Sequence, residues 1–278
     1  MFELLWKPYV EDVLQEAMAR FEMRFRANGF DEAFFAVKRF LDLGCASGRA
    51  SFVMGGMGAD QVVGVDVGRR SLAVASASVR SADLTRVRFV QDNLYELGLA
   101  GNSFDFVGSN GVLHHHTRVE PAIAEIFRVM RPGARLFLYV VGSIDNAKDY
   151  LNQRVKAMVA KVPLERTMEV FGAVGFPQAA INSAIDGMYA VYHHRSRKET
   201  ADLFLGHGFS AAHDMLAVDG IDVPQDGAMS ALRLNSPGVQ ISSIDLQYCA
   251  QCAGACSVSA YATAAYARWP GLLRRSSA

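Results

Sequence analysis

The run from Phe40 to Phe52, FLDLGCASGRASF, constrains the fold more than any other stretch of the chain. Phe40, Leu41 and Leu43 read as a short apolar strand that carries Asp42 and ends in a turn of small residues, Gly44-Cys45-Ala46-Ser47-Gly48. A helix is expected to start there. Gly44 and Gly48 carry no Cβ and adopt positive φ readily, so a ligand can come close to the backbone at this turn. The N–H groups that open the helix face the same point. A βα turn of this kind, at the C-terminal edge of a sheet, is where doubly wound α/β folds bind nucleotides.

Spacing narrows the ligand. Dinucleotide-binding turns follow G-x-G-x-x-G, whereas this turn has Gly44, Ala46 and Gly48 at two-residue intervals and Arg49 directly after Gly48. A pyrophosphate is therefore disfavoured. A second carboxylate, Asp66, ends the apolar strand Gln61 to Val65, 24 residues after Asp42. A carboxylate at a strand tip can accept two hydrogen bonds from a ribose diol, and that serves a nicotinamide nucleotide as well as any other nucleoside. Its alternative role is to cap the helix expected from Gly68 to Val79. Arg86 to Gln91 is a third strand, followed by Asp92 and Asn93. Phe104 to Ser109 is a fourth, followed by Asn110-Gly111-Val112-Leu113-His114-His115-His116. Pro121 starts a helix through Met130, and Arg131-Pro132-Gly133-Ala134 turns into a fifth strand, Arg135 to Val141.

The D-x-G-x-G-x-G pattern, with Ala46 in place of the middle glycine, resembles the first motif of the class I S-adenosylmethionine-dependent methyltransferases. The runs FDFVGSNGVLHHH and EIFRVMRPGARLFLYV are similar to the fourth-to-fifth strand region of the same family, where R-V-L-K-P-G-G is usual. The resemblance covers Phe40 to Val141 in order. It implies a doubly wound, mostly parallel α/β sheet of seven strands, order 3-2-1-4-5-7-6, with strand 7 antiparallel. It implies S-adenosylmethionine as methyl donor, with Gly44, Ala46 and Gly48 under its amino acid part. It also implies Asp42 in the donor motif, Asp66 on the ribose, Asp92 and Asn93 on the adenine, and the chain near Asn110 on the methionine ammonium. The family often has a histidine pair after V-L, here His114 and His115, and a histidine near the sulfonium could take a proton from the acceptor. His115 is the first choice for that role and His114 the second. Such pairs also shape the donor pocket without catalysis.

Outside that span the chain supplies framing elements. Lys7 to Arg26 places Tyr9, Val10, Val13, Leu14, Ala17, Met18, Phe21 and Phe25 at three-and-four spacing, an amphipathic helix whose start leaves Trp6 and Tyr9 as candidates for a substrate wall. Ala50 to Met57 is a short helix punctuated by glycines. Beyond Val141 the alternation of strand and helix stops until Ser196-Arg197-Lys198-Glu199, a capping box that opens a helix to Leu205. The span 143–195 is far longer than a usual connection, so it reads as a helical lid or substrate insert, with a packing appendage or a dimer surface as the alternative. Ser210 to Val218 and Val239 to Tyr248 are the candidates for strands six and seven. The expected organisation is a methyltransferase domain over 1–248, with residues 1–30 as its N-terminal helix, and a Cys/Ala/Ser-rich tail over 249–278.

Composition bears on partners. Lys plus Arg equals Asp plus Glu at 28 each, so no overall field attracts nucleic acid, and a small-molecule acceptor is expected. No stretch approaches a membrane span and no secretory leader is visible, so a cytoplasmic location with reduced thiols is expected. Cys249, Cys252 and Cys256 are spaced closely enough to share a metal but make only three local ligands, and no metal is expected. The expected activity is methyl transfer from S-adenosylmethionine. The alternatives are an NAD-dependent oxidoreductase on a similar sheet and a non-catalytic protein that binds the donor. Oligomeric state and the acceptor atom, O, N or C, stay open.

Overall fold

The computed structural model describes residues 11–81, 84–142, 147–176, 178–215 and 229–237. Trp6, Tyr9, the strand expected from Val239 to Tyr248 and the three clustered cysteines lie outside the described residues. The elements run α1 (Glu11–Ala27), α2 (Glu32–Phe35), β1 (Arg39–Leu43), α3 (Arg49–Gly56), β2 (Gln61–Asp66), α4 (Arg69–Ser81), β3 (Val87–Gln91), β4 (Phe104–Asn110), α5 (Glu120–Val129) and β5 (Met130–Val141). There follow α6 (Ala147–Val159), α7 (Leu164–Ala173), α8 (Gln178–Tyr189), α9 (Arg197–Gly206), β6 (Ala211–Asp214) and β7 (Met229–Asn235).

Strands β1 to β5 form the expected parallel sheet in the order 3-2-1-4-5. β7 adds to β5 antiparallel, pairing Leu136 with Leu234, and β6 pairs with β7 at the edge. The strand beside β5 is thus Met229–Asn235, upstream of the alternation in VQISSIDLQY. With Ala231 and Arg233 among its residues, its sequence lacks the clean apolar period that marks a strand.

Alternation along the strands gives the sheet two cores. Phe40, Phe106 and Phe137 face α1 and α3, where Phe25, Phe30, Phe35, Phe52 and Val53 are buried with them. Leu41, Leu43, Val107, Leu136 and Leu138 face the other side, against Ile123 and Ile126 of α5 and Phe204 of α9. Helices thus cover both faces of the sheet. Helices α7 and α8 share a small cluster of their own around Ile181 and Ile185. No residue of α7 is buried. Among the described residues, no helix is long and apolar enough to cross a membrane.

Candidate functional site

Register places the sequence-predicted residues along one edge. Leu43 pairs with Val65 and with Ser109, and Asp66 pairs with Gln91, so the chain leaves β1, β2, β3 and β4 side by side at Gly44, Val67, Asp92 and Gly111. The turn after β1 is a tight left-handed one: Gly44, Ala46 and Gly48 have φ of 70°, 47° and 87°. A Cβ on Gly44 would come within 2.2 Å of Val112 Cγ2, and one on Gly48 within 2.6 Å of Phe89 Cζ. Both glycines are therefore demanded by protein packing. Val112 and Phe89 occupy the directions in which side chains at these two positions would point.

Each carboxylate has a defined task. Asp42 is buried; its Oδ2 accepts from Ser51 Oγ at 2.6 Å and its carboxylate also from the Ser51 backbone N–H, so it supplies the cap that Gly48, without a side chain, cannot give α3. Burial pushes its pKa up to about 6, against the lowering effect of the Ser51 bonds. It sits beneath the turn and holds it. Asp66 links two loops: Oδ2 accepts from Ala46 N at 2.9 Å and Oδ1 from Gly68 N at 2.8 Å. Four lone-pair sites on a carboxylate leave it able to accept two further bonds. Asp92 accepts from Asn93 N at 2.7 Å and from Gly98 N at 2.8 Å. Asn93 is spent locally, since its amide faces Asp92 and its Oδ1 accepts from Tyr95 N. Among the described residues, Ser47 Oγ, Ser109 Oγ and Asn110 Oδ1 are buried with no hydrogen-bond partner. Ser47 belongs to the turn after β1, and Ser109 and Asn110 are the last two residues of β4; a buried polar atom without a partner is costly unless a ligand satisfies it.

The histidine run forms a single 3₁₀ turn, Leu113–His115. His114 is buried, and its Nδ1 accepts from the backbone N–H of Val141 at 3.2 Å. Burial, reinforced by the neighbouring histidines, lowers its pKa to about 3. A neutral ring whose acceptor nitrogen is taken by the main chain ties the turn to β5, so the second-choice catalytic role for His114 is withdrawn. His115 has the opposite tautomer: Nδ1 lies 3.0 Å from Val191 O, which can only accept, so Nδ1 carries the hydrogen and Nε2 is the acceptor nitrogen. Burial lowers its pKa, partly offset by the Val191 bond and by Asp186. His116 pairs with Tyr95 OH at 2.6 Å.

Sequence reasoning missed the partner of this turn. Residues 190–195 return from α8 and stitch themselves across it: His193 N donates to His114 O at 2.7 Å, His194 Nδ1 meets Gly142 O at 3.0 Å, and Gly142 bridges Arg195. Tyr192 lies 5.1 Å from both the His114 and His115 rings, and its hydroxyl donates to Asp186 Oδ2 at 2.8 Å. The signal was the second histidine-rich run, YHH at 192–194, which brings five of the chain's seven histidines together. Among the described residues, no group of His, Cys, Asp or Glu is arranged to hold a metal.

Comparison with known proteins agrees with the parallel sheet of β1 to β5. Residues 41–138 match the family described as a methyltransferase domain. A ubiquinone biosynthesis O-methyltransferase of Hahella chejuensis is 36% identical over 115 residues, covering 41% of this chain and 47% of that protein. An arsenite methyltransferase of Aquipseudomonas alcaligenes is 29% identical over 156 residues, covering 53% of this chain and 44% of the relative. The chain thus spans less than half the length of these curated relatives. The YcgJ protein of Bacillus subtilis superimposes with a TM-score of 0.51 at 18% identity, over 73% of this chain and 93% of its own.

Proposed function

Because residues 41–138 form a class I S-adenosylmethionine-dependent methyltransferase domain, we propose that the chain transfers a methyl group from S-adenosylmethionine to a small-molecule acceptor. One observation carries the reading: Asp66, Asp92 and the orphaned Asn110 Oδ1 stand in register on one sheet edge around the turn after β1. The buried acceptor Asn110 Oδ1 fits a ligand with an ammonium group, and the donor's methionine end has one. The remaining lone pairs of Asp66 suit a ribose diol, those of Asp92 an adenine amino group, and Ser47 Oγ a carboxylate. Gly44, Ala46 and Gly48 carry the backbone under that end. Asn93, whose amide is already bonded to Asp92, is a support of the loop. We read β6 and β7 as the antiparallel close of the family's sheet, 1–248 as the methyltransferase domain, and 143–195 as its substrate-side insert.

When bound, the donor supplies a sulfonium-linked methyl group open to in-line displacement. The chain's part is to align the acceptor with that carbon and exclude water. His115 would take the acceptor's proton at Nε2, while Val191 O holds Nδ1–H. The curated relatives are named for arsenite and for a step in ubiquinone biosynthesis, which supports a small-molecule acceptor without choosing one.

The test joins binding with transfer. Calorimetry on the full chain should show S-adenosylmethionine or its demethylated product binding and NAD not binding. Asp66→Ala should weaken the donor by roughly 1.5 to 3 kcal/mol, the cost of a charge-assisted hydrogen bond. Incubating the protein and a cell extract with isotopically methyl-labelled donor should label an acceptor visible by mass spectrometry. Tight donor binding with no labelled product from any extract would leave a binding protein; NAD binding would point to the oxidoreductase.

A further inference from the structure

The acceptor side of the site is built by the insert as much as by the sheet. Tyr192 covers one face of the His115 ring at 5.1 Å and an interplanar angle of 30°, while His114 lies 4.2 Å away. With Val191 O on Nδ1, the imidazole is held in one orientation. Tyr192 is itself fixed by Asp186, four residues before Ala190, whose amide caps back to Asp186 O at 3.0 Å. The other carboxylate oxygen, Oδ1, is buried with no hydrogen-bond partner among the described residues. A buried carboxylate satisfied on one side only keeps an unscreened charge for its surroundings.

We propose that Asp186 is a positioning residue for His115: by fixing Tyr192 it holds the ring that Val191 O keeps as the Nδ1–H tautomer, and its charge favours the imidazolium formed when Nε2 takes a proton. This rests on the reading of His115 as the proton acceptor. The charged and titratable groups facing the ring come from every neighbouring element. Asp186 of α8 favours the imidazolium, whereas Lys156 of α6 and His193 of the returning segment oppose it, and His114 and His116 flank it on its own turn. Lys156 Nζ stands 4.4 Å from the Tyr192 ring centre and donates to Ala190 O at 2.8 Å, so cation and carboxylate bracket the same tyrosine. Burial alone would leave His115 too weak a base near neutrality. The Val191 bond and the Asp186 carboxylate each offset part of that.

The test needs no acceptor. The full chain, labelled with ¹⁵N and ¹³C in histidine and saturated with S-adenosylhomocysteine, is titrated by NMR, with His115→Ala identifying the resonance. The wild type should show the Nδ1–H tautomer. Asp186→Asn should lower the His115 midpoint by about half a unit to one unit, as loss of a nearby opposite charge does. Asp186→Glu should restore most of the shift, which a merely structural role for the side chain would not require. Lys156→Gln should move the midpoint up, and it decides the matter if Asp186→Asn fails to fold. An Nε2–H tautomer, or a midpoint unmoved in Asp186→Asn, overturns the proposal, and an unmoved midpoint in Lys156→Gln does so where Asp186→Asn does not fold. The base reading fails separately: His115→Ala should cost about 10²-fold to 10⁴-fold in kcat with donor affinity kept, and turnover within a few-fold of wild type would remove the base while leaving the titration result standing.

Discussion

Ala46 and Gly44 show how differently two residues of one turn are constrained. Ala46 is held at φ 47°, where an L-residue is strained by roughly 1 to 2 kcal/mol, and its N–H is fixed by Asp66. Ala46→Gly relieves that strain but frees the unfolded chain, at a cost of about 0.4 to 1 kcal/mol, so a net gain of about 0.5 to 1 kcal/mol is expected. Gly44→Ala meets positive φ and a Val112 methyl at 2.2 Å together, and should cost about 2 to 5 kcal/mol. Urea midpoints of the two variants check both signs. A loss in Ala46→Gly would mean that the Asp66 bond, rather than the sequence of the turn, sets its shape. The carboxylates Asp42, Asp66 and Asp92 were legible because each closes or follows an apolar strand. Their division of labour was not, since the bond from Ser51 that turns Asp42 into a helix cap depends on where α3 starts in space.

Between elements, the 3₁₀ turn after β4 is the junction that matters most. His114 joins it to the end of β5 and the returning segment 190–195. The pKa of this histidine is about 3 in the folded chain against an ordinary value of 6.5, so between those values the unfolded chain binds the extra proton. The stability this neutral ring contributes is fully present above about pH 6.5 and is lost as pH falls towards 3. Gln can accept the Val141 N–H without titrating. Thermal midpoints of His114→Gln should therefore fall less than those of the wild type between pH 6.5 and 4, and parallel curves would show that the ring is protonated without opening the junction. The capping box Ser196/Glu199 was readable from four letters and forms with Glu199 N to Ser196 Oγ at 3.2 Å and Ser196 N to Glu199 Oε2 at 2.7 Å. The strand after α9 was readable only in part, because β7 joins the sheet by pairing with β5 and β6 by pairing with β7, and weakly patterned segments are chosen by their partner.

For the whole molecule, two tiers of stability follow from burial. β1, β4 and β5 lie between two cores, while α7 and α8 share the small cluster at Ile181 and Ile185, and α7 buries no residue. Hydrogen exchange should find the amides of α7 open first and those of β1 and β4 last, with His193, bonded to His114, protected nearer to the sheet's level. Uniform exchange across the insert and strap would mean that the whole span 147–195 opens as one unit. The sequence by itself determined the parallel sheet and the alignment of Asp66 and Asp92 at one edge of it, because both depend on local patterns: apolar strands of period two, turn residues at fixed offsets, and a carboxylate at the end of β2 and just after β3. Tertiary structure alone decided which histidine has its acceptor nitrogen occupied by the main chain. That choice depends on Val141, Val191 and Tyr192, which lie 27, 76 and 77 residues from the histidines they touch. No local period encodes such a meeting; it exists only once β5 and the insert have folded back over the end of β4.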